Sequence, residues 1–203
     1  MNSTMPSGWL PALSSLLTRP WVVVTLLAAA VLLRAGFAVN GPIDADESQH
    51  LHAAWLVGEG RIPYRDFWEH HSPLLYYVLA PLTRAFTDRP RVYVAARLAM
   101  SIPALALGAF LYLVARRLGP VIGLVSVLLL GLQPGVIRYT TQVRPDVPAL
   151  AVWLATVVAL VRWRESRAPA WIWATGLLLG VMAAFTPKAL YSLLGVEIGR
   201  AHV

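Results

Sequence analysis

The chain contains no cysteine, a single lysine (Lys188) in 203 residues, and only 13% charged residues, about half the share of an ordinary soluble domain. Without cysteine there is neither a disulfide framework nor a thiolate metal site. So little charge, beside 58% hydrophobic residues, eight tryptophans and a mean hydropathy of +0.62, excludes a soluble domain and indicates a membrane protein. Internal repeats and low-complexity tracts are absent too. A bilayer core takes roughly 20 mostly apolar residues per helix. Five such runs can be marked, Trp21–Val39, Ala95–Ala115, Val121–Ile137, Val147–Val161 and Trp171–Phe185, the last two short. The fold expected is all-α: a polytopic transmembrane helical protein of about five spans. The first run ends in "LLRAGFAVNGP", longer than a signal-peptide core and lacking a small-x-small cleavage site, so it reads as a retained span.

The net charge of +7 comes from arginine, and its position argues against a nucleic-acid partner. Arg116 and Arg117 follow the second span; Arg162, Arg164 and Arg167 follow the fourth. By the positive-inside rule both connections are cytoplasmic. That puts the N-terminus inside and leaves one large outer loop, about residues 40–94, and a small outer turn, Arg138–Asp146.

Acid is scarce as well, and unevenly placed. Seven of the ten acidic residues and four of the five histidines fall in the large loop, mostly within "DADESQHLHAAWLVGEGRIPYRDFWEHHSPLLYY" at 44–77. Two juxtamembrane helices are expected there. One starts near Asp46 and stops at Gly58 and Gly60, with Leu51 and Trp55 sharing a membrane-facing side. The other starts at Ser72–Pro73, serine as N-cap and proline at the first turn, and is kinked or broken at Pro81.

Asp46 and Glu47 suit a helix N-terminus as capping acids, but His50 lies one turn beyond Asp46, where a carboxylate can orient an imidazole or share a cation. The literal DxD of "DAD" adds little. In "EHHSP", Glu69, His70 and His71 bring a carboxylate and two imidazoles to a helix start that favours anions such as phosphate. Adjacent His70 and His71 have poor metal spacing, since neighbours point different ways. A divalent metal is therefore compatible with Asp46, Glu69 and His70 without being required. Asp146 reads as an N-cap or a site acid, Arg144 and Lys188 as anchors or phosphate ligands, and Arg34 and Arg97 as arginines snorkelling from span ends.

In combination these segments resemble the lipid-linked-sugar glycosyltransferases of the C-type membrane fold, in the protein O-mannosyltransferase and aminoarabinose-transferase branch. The elements are a first span, the outer-loop pair Asp46-Glu47, "PYRDFWEHHSPLLYY", "AARLAMSIPALALGAFLYLVARRLG" and "RPDVPAL", in the family's order over about residues 20–195. The resemblance implies an inverting transferase that moves a sugar from a polyprenyl-phosphate donor to a lipid, glycan or protein acceptor at the outer face of the cell membrane. Asp46 matches its general base, Glu47 that residue's motif partner, and Glu69 with His70 the polar position before the Pro-Leu segment. His50, His70, Arg144, Asp146 and Lys188 are the candidate substrate contacts. Ser72 departs from the family's usual proline, and the family's later spans are missing, so inactivity of this piece by itself is compatible with the resemblance.

A base that takes the acceptor's proton and cations that meet the leaving phosphate are what such a transfer needs. A transporter would carry acids at mid-membrane, whereas these cluster in an outer loop; a non-catalytic membrane fragment would not need the Asp46, Glu69 and Asp146 set. The final "EIGRAHV" reads as the translation of a sequencing-library adapter. The domain is accordingly drawn as 1–196, the N-terminal part of a glycosyltransferase membrane domain, with 197–203 excluded.

Overall fold

A computed structural model describes residues 15, 19–86, 88–189 and 191; the adapter-like segment 197–203 lies outside them. The described residues form nine α-helices: α1 Pro20–Asn40, α2 Ala45–Gly58, α3 Leu74–Ala85, α4 Arg89–Ala99, α5 Ser101–Ala115, α6 Pro120–Leu132, α7 Pro134–Thr141, α8 Asp146–Ser166 and α9 Pro169–Phe185. The chain is thus the all-α polytopic membrane protein its composition demands.

Among the described residues the spans number three, or four if one bent helix pair is counted as a single span. Three stretches are long and apolar enough to cross a bilayer: α1, the 29-residue run Pro90–Leu118 through α4 and α5, and α8. The run Val121–Ile137 is not one helix, because α6 and α7 meet at a 71° bend. Gln133 takes an extended backbone (φ −72°, ψ 120°) before Pro134, as the residue preceding proline must when the ring crowds the α region. The fifth run, α9, has 17 residues and spans about 25 Å at 1.5 Å per residue, short of a roughly 30 Å core. The apolar helices expose large side chains such as Leu32, Ile102, Leu105, Leu129 and Leu177, a face suited to lipid.

The buried core lies where the 40–94 loop sits against the helix ends. Leu51, Ala54 and Val57 of α2 pack with Leu75, Tyr76 and Leu79 of α3, and with Ala96, Met100, Val143 and Phe185. Leu51 is therefore buried while Trp55 stays exposed, contrary to the shared membrane face expected of them. The reason is that α2 buries its apolar side against α3 and the bundle. At the end of α2, Gly60 adopts φ +83°, as its role as helix stop requires. Helix α3 starts one residue later than its Ser-Pro signal implies. Pro73 occupies the cap position with no side-chain cap, and the helix continues through Pro81.

Arg34 and Arg97 do not snorkel. The Arg34 guanidinium turns inward and donates to the hydroxyl and carbonyl oxygens of Thr140 on α7. Arg97, 2% exposed, is committed to Glu47.

Candidate active site

Asp44 sets up the site by capping α2. Its carboxylate accepts from the Asp46 N–H at 3.0 Å, and the Asp44 N–H donates to Glu47 Oε2 at 3.2 Å, so Asp44 and Glu47 form a capping box. Glu47 is wholly buried. Arg97 donates to it from Nε at 2.9 Å and from Nη2 at 2.6 Å, and the Val143 N–H adds a bond at 3.1 Å. The same guanidinium donates to the carbonyls of Ala38, Gly41 and Pro42 at the end of α1. One ion pair therefore ties α1, α2, α4 and the segment before α8 together. Saturated with donors and closed to water, Glu47 has no free lone pair for an incoming proton.

Asp46 is the opposite case. Its side chain is 52% exposed, and its Oδ2 meets Arg144 Nη1 at 2.9 Å. Arg144 also reaches Asp44 Oδ1 at 3.1 Å, donates to Gln142 Oε1 at 3.1 Å and lies over the Tyr139 ring. A guanidinium held on three sides is thus poised beside an accessible carboxylate.

The second acid, Glu69, is buried at 6% exposure. Gln49, one turn along α2 from Asp46, donates to its Oε1 at 3.1 Å. The backbone N–H groups of His70 and His71 donate to the same oxygen at 2.9 and 3.2 Å, and His71 Nδ1 is 3.0 Å from it. Burial pushes the Glu69 carboxyl up, but the bonds from His71, His70 and Gln49 outweigh it and leave it below the usual carboxylate range. The segment is held by Tyr64, a non-glycine residue at φ +65°, whose hydroxyl donates to the His71 carbonyl at 2.5 Å. It is pinned further by Asp66, which accepts from the Ile62 N–H at 2.8 Å.

The expected pairing of Asp46 with His50 is not formed. His50 is buried and its Nδ1 lies 3.3 Å from the Tyr76 hydroxyl, while its ring meets that of His71 edge-on at 4.8 Å. Burial, and next the charge of His71, lowers its pKa to about 4, so the imidazole is neutral at pH 7. Burial and the nearby Glu69 carboxylate raise the pKa of Tyr76 in turn. His50 and Tyr76 form an uncharged floor beneath His71.

His70 and His71 come together, contrary to the spacing argument. Their ring centroids are 3.8 Å apart, because the chain bends at both residues instead of running as a strand with alternating sides. Asp146 and Lys188 pair at 2.7 Å with both side chains well exposed. The residues alone do not mark Asp44, Gln49, Arg97, Gln142 or Tyr76 as site components. The D-x-x-E spacing of Asp44 and Glu47 was the readable signal for the first of them.

The model of the family described as dolichyl-phosphate-mannose-protein mannosyltransferase matches residues 70–197, a stretch that holds His70, Arg144, Asp146 and Lys188 and begins after Asp46 and Glu47. No curated protein and no solved structure matches the chain.

Proposed function

Because the chain belongs to the dolichyl-phosphate-mannose-protein mannosyltransferase family, and is thereby a membrane glycosyltransferase using a polyprenyl-phosphate sugar, we propose that Asp46 is its general base and works at the outer face of the cell membrane. One observation carries this reading. Of the two adjacent acids, Glu47 is sealed into an ion pair with Arg97, and Asp46 remains open to solvent beside Arg144.

Asp46 takes the proton of the acceptor hydroxyl or amine as that atom attacks the anomeric carbon. The sugar–phosphate bond breaks on the opposite side, the carbon inverts, and the electron pair leaves with the polyprenyl phosphate. Arg144 supplies fixed positive charge for the phosphate as its charge develops. His70, 53% exposed at the side chain, and the Asp146–Lys188 pair are assigned to binding of donor or acceptor. His50 is assigned to the floor of the site rather than to substrate, given its buried contact with Tyr76.

The outer-face assignment draws on the arginine loops. Arg117 bonds Glu165, so the connections after α5 and α8 lie at one end of the molecule, and by the positive-inside rule that end is cytoplasmic. Helices α2 and α3 cluster with Met100, Val143 and Ala149 at the other ends of these helices.

The test is Asp46→Asn in the full-length protein, assayed with a polyprenyl-phosphate sugar. Transfer falls by about 10²- to 10⁴-fold while helicity and elution volume are unchanged. Near-normal transfer by a folded variant removes Asp46 as the base.

A further inference from the structure

We propose that Glu69, His70 and His71 bind a divalent cation of the zinc type. The proposal does not depend on the transferase reading, and its ligand set differs from the one expected of the sequence: His71 enters and Asp46, engaged by Arg144, is left out.

One ligand atom from each of the three side chains lies within 4.8 Å of the others. Glu69 Oε1 is 3.3 Å from His70 Nδ1 and 3.0 Å from His71 Nδ1. Zinc bonds of about 2.0–2.1 Å in a tetrahedron set neighbouring ligand atoms roughly 3.3 Å apart, so both distances are those of ligands around one ion.

The hydrogen bonding also fits a cation. Besides the two imidazoles, Oε1 faces the backbone N–H groups of His70 and His71 and the Gln49 amide. Five nitrogens crowd an oxygen with about two lone-pair sites. A cation relieves the crowding, because both ring nitrogens then point lone pairs at the metal instead of competing as donors. The backbone groups and Gln49 remain to orient the carboxylate, the usual outer support of a metal ligand.

Two nitrogens and one oxygen suit zinc better than calcium or magnesium, which take oxygen ligands. The side chains form a cup with a buried base and an open rim: counted over the side chain alone, Glu69 is 4% exposed, His71 27% and His70 53%. An ion can therefore enter from solvent and keep a fourth position for water or a substrate oxygen.

The experiment uses the purified chain in detergent micelles, stripped of metal and titrated with Zn²⁺ by calorimetry and with Co²⁺ by visible absorption. One ion per chain is expected. Glu69→Gln and His71→Ala weaken binding by about 100-fold, and His52→Ala, whose ring stacks on exposed Trp55 instead, leaves it unchanged. Helicity and elution volume are recorded for each variant. X-ray absorption of the zinc-loaded unmodified chain needs no variant and shows two imidazoles and carboxylate oxygen in the first shell. Absence of binding by the folded chain, full affinity in folded Glu69→Gln or His71→Ala, or a first shell without imidazole overturns the proposal. Because the readout is binding rather than sugar transfer, failure here leaves the assignment of Asp46 untouched, and the reverse.

Discussion

Glu47 and Asp46 are one peptide bond apart, and their surroundings give their removal different consequences. Glu47→Gln leaves the Arg97 guanidinium buried without its counter-charge, which costs about 3–5 kcal/mol of stability. Thermal unfolding in detergent shows the loss, and the paired replacement Glu47→Leu with Arg97→Leu recovers part of it, because no charge is then stranded. Recovery no better than either single variant argues against a direct pair. Arg144 acts on chemistry instead. Arg144→Ala lowers transfer by about 100-fold, in the range found for loss of one preorganised donor. Arg144→Lys restores little, since a single ammonium cannot bridge Asp44 and Asp46 as the planar fork does; full rescue by lysine means that only charge matters. The acids of this loop could be picked out of the sequence by their scarcity, but their division into a buried strut and an open carboxylate could not. That division depends on Arg97, which sits fifty residues away and reads in isolation as an arginine at a span end.

Helix α2 carries both acids, and its start is set locally. Asp44 caps it and Glu47 closes the box, so Asp44→Ala costs about 1 kcal/mol. Asp44→Asn keeps the cap and loses only the charge facing Arg144. Equal destabilisation by both substitutions, measured by thermal unfolding, assigns the effect to the ion pair rather than the cap. The ends of α2 were readable for the same reason: capping acids and terminal glycines act within a few residues. Its buried face was not, because whether Leu51 or Trp55 turns inward depends on where α3 packs. The break between α6 and α7 lies between these cases. The Gln133–Pro134 step is local, yet hydropathy averaged over a window passes across it, and the two helices read as one span.

For the whole molecule, the absence of cysteine makes the orientation directly measurable. In intact cells, a cysteine at Trp68, 80% exposed in the outer loop, reacts with a membrane-impermeant maleimide. A cysteine at Leu118, 77% exposed at the arginine-rich end, reacts only after the membrane is opened. Labelling in the reverse order overturns the outer-face assignment. Sequence by itself determined the class, the helical content, the loop that gathers the acids and the resemblance that family membership bears out. These follow from composition and short-range pattern, which the chain carries whether or not it is folded. Tertiary structure decided the rest: the inward turn of Arg34 and Arg97, the burial of His50 against Tyr76, the convergence of His70 and His71 on Glu69, and the openness of Asp46. Each depends on which groups lose water and which partner replaces it, and those partners come from helices far apart in the chain or from a bend in the backbone that residue spacing does not encode.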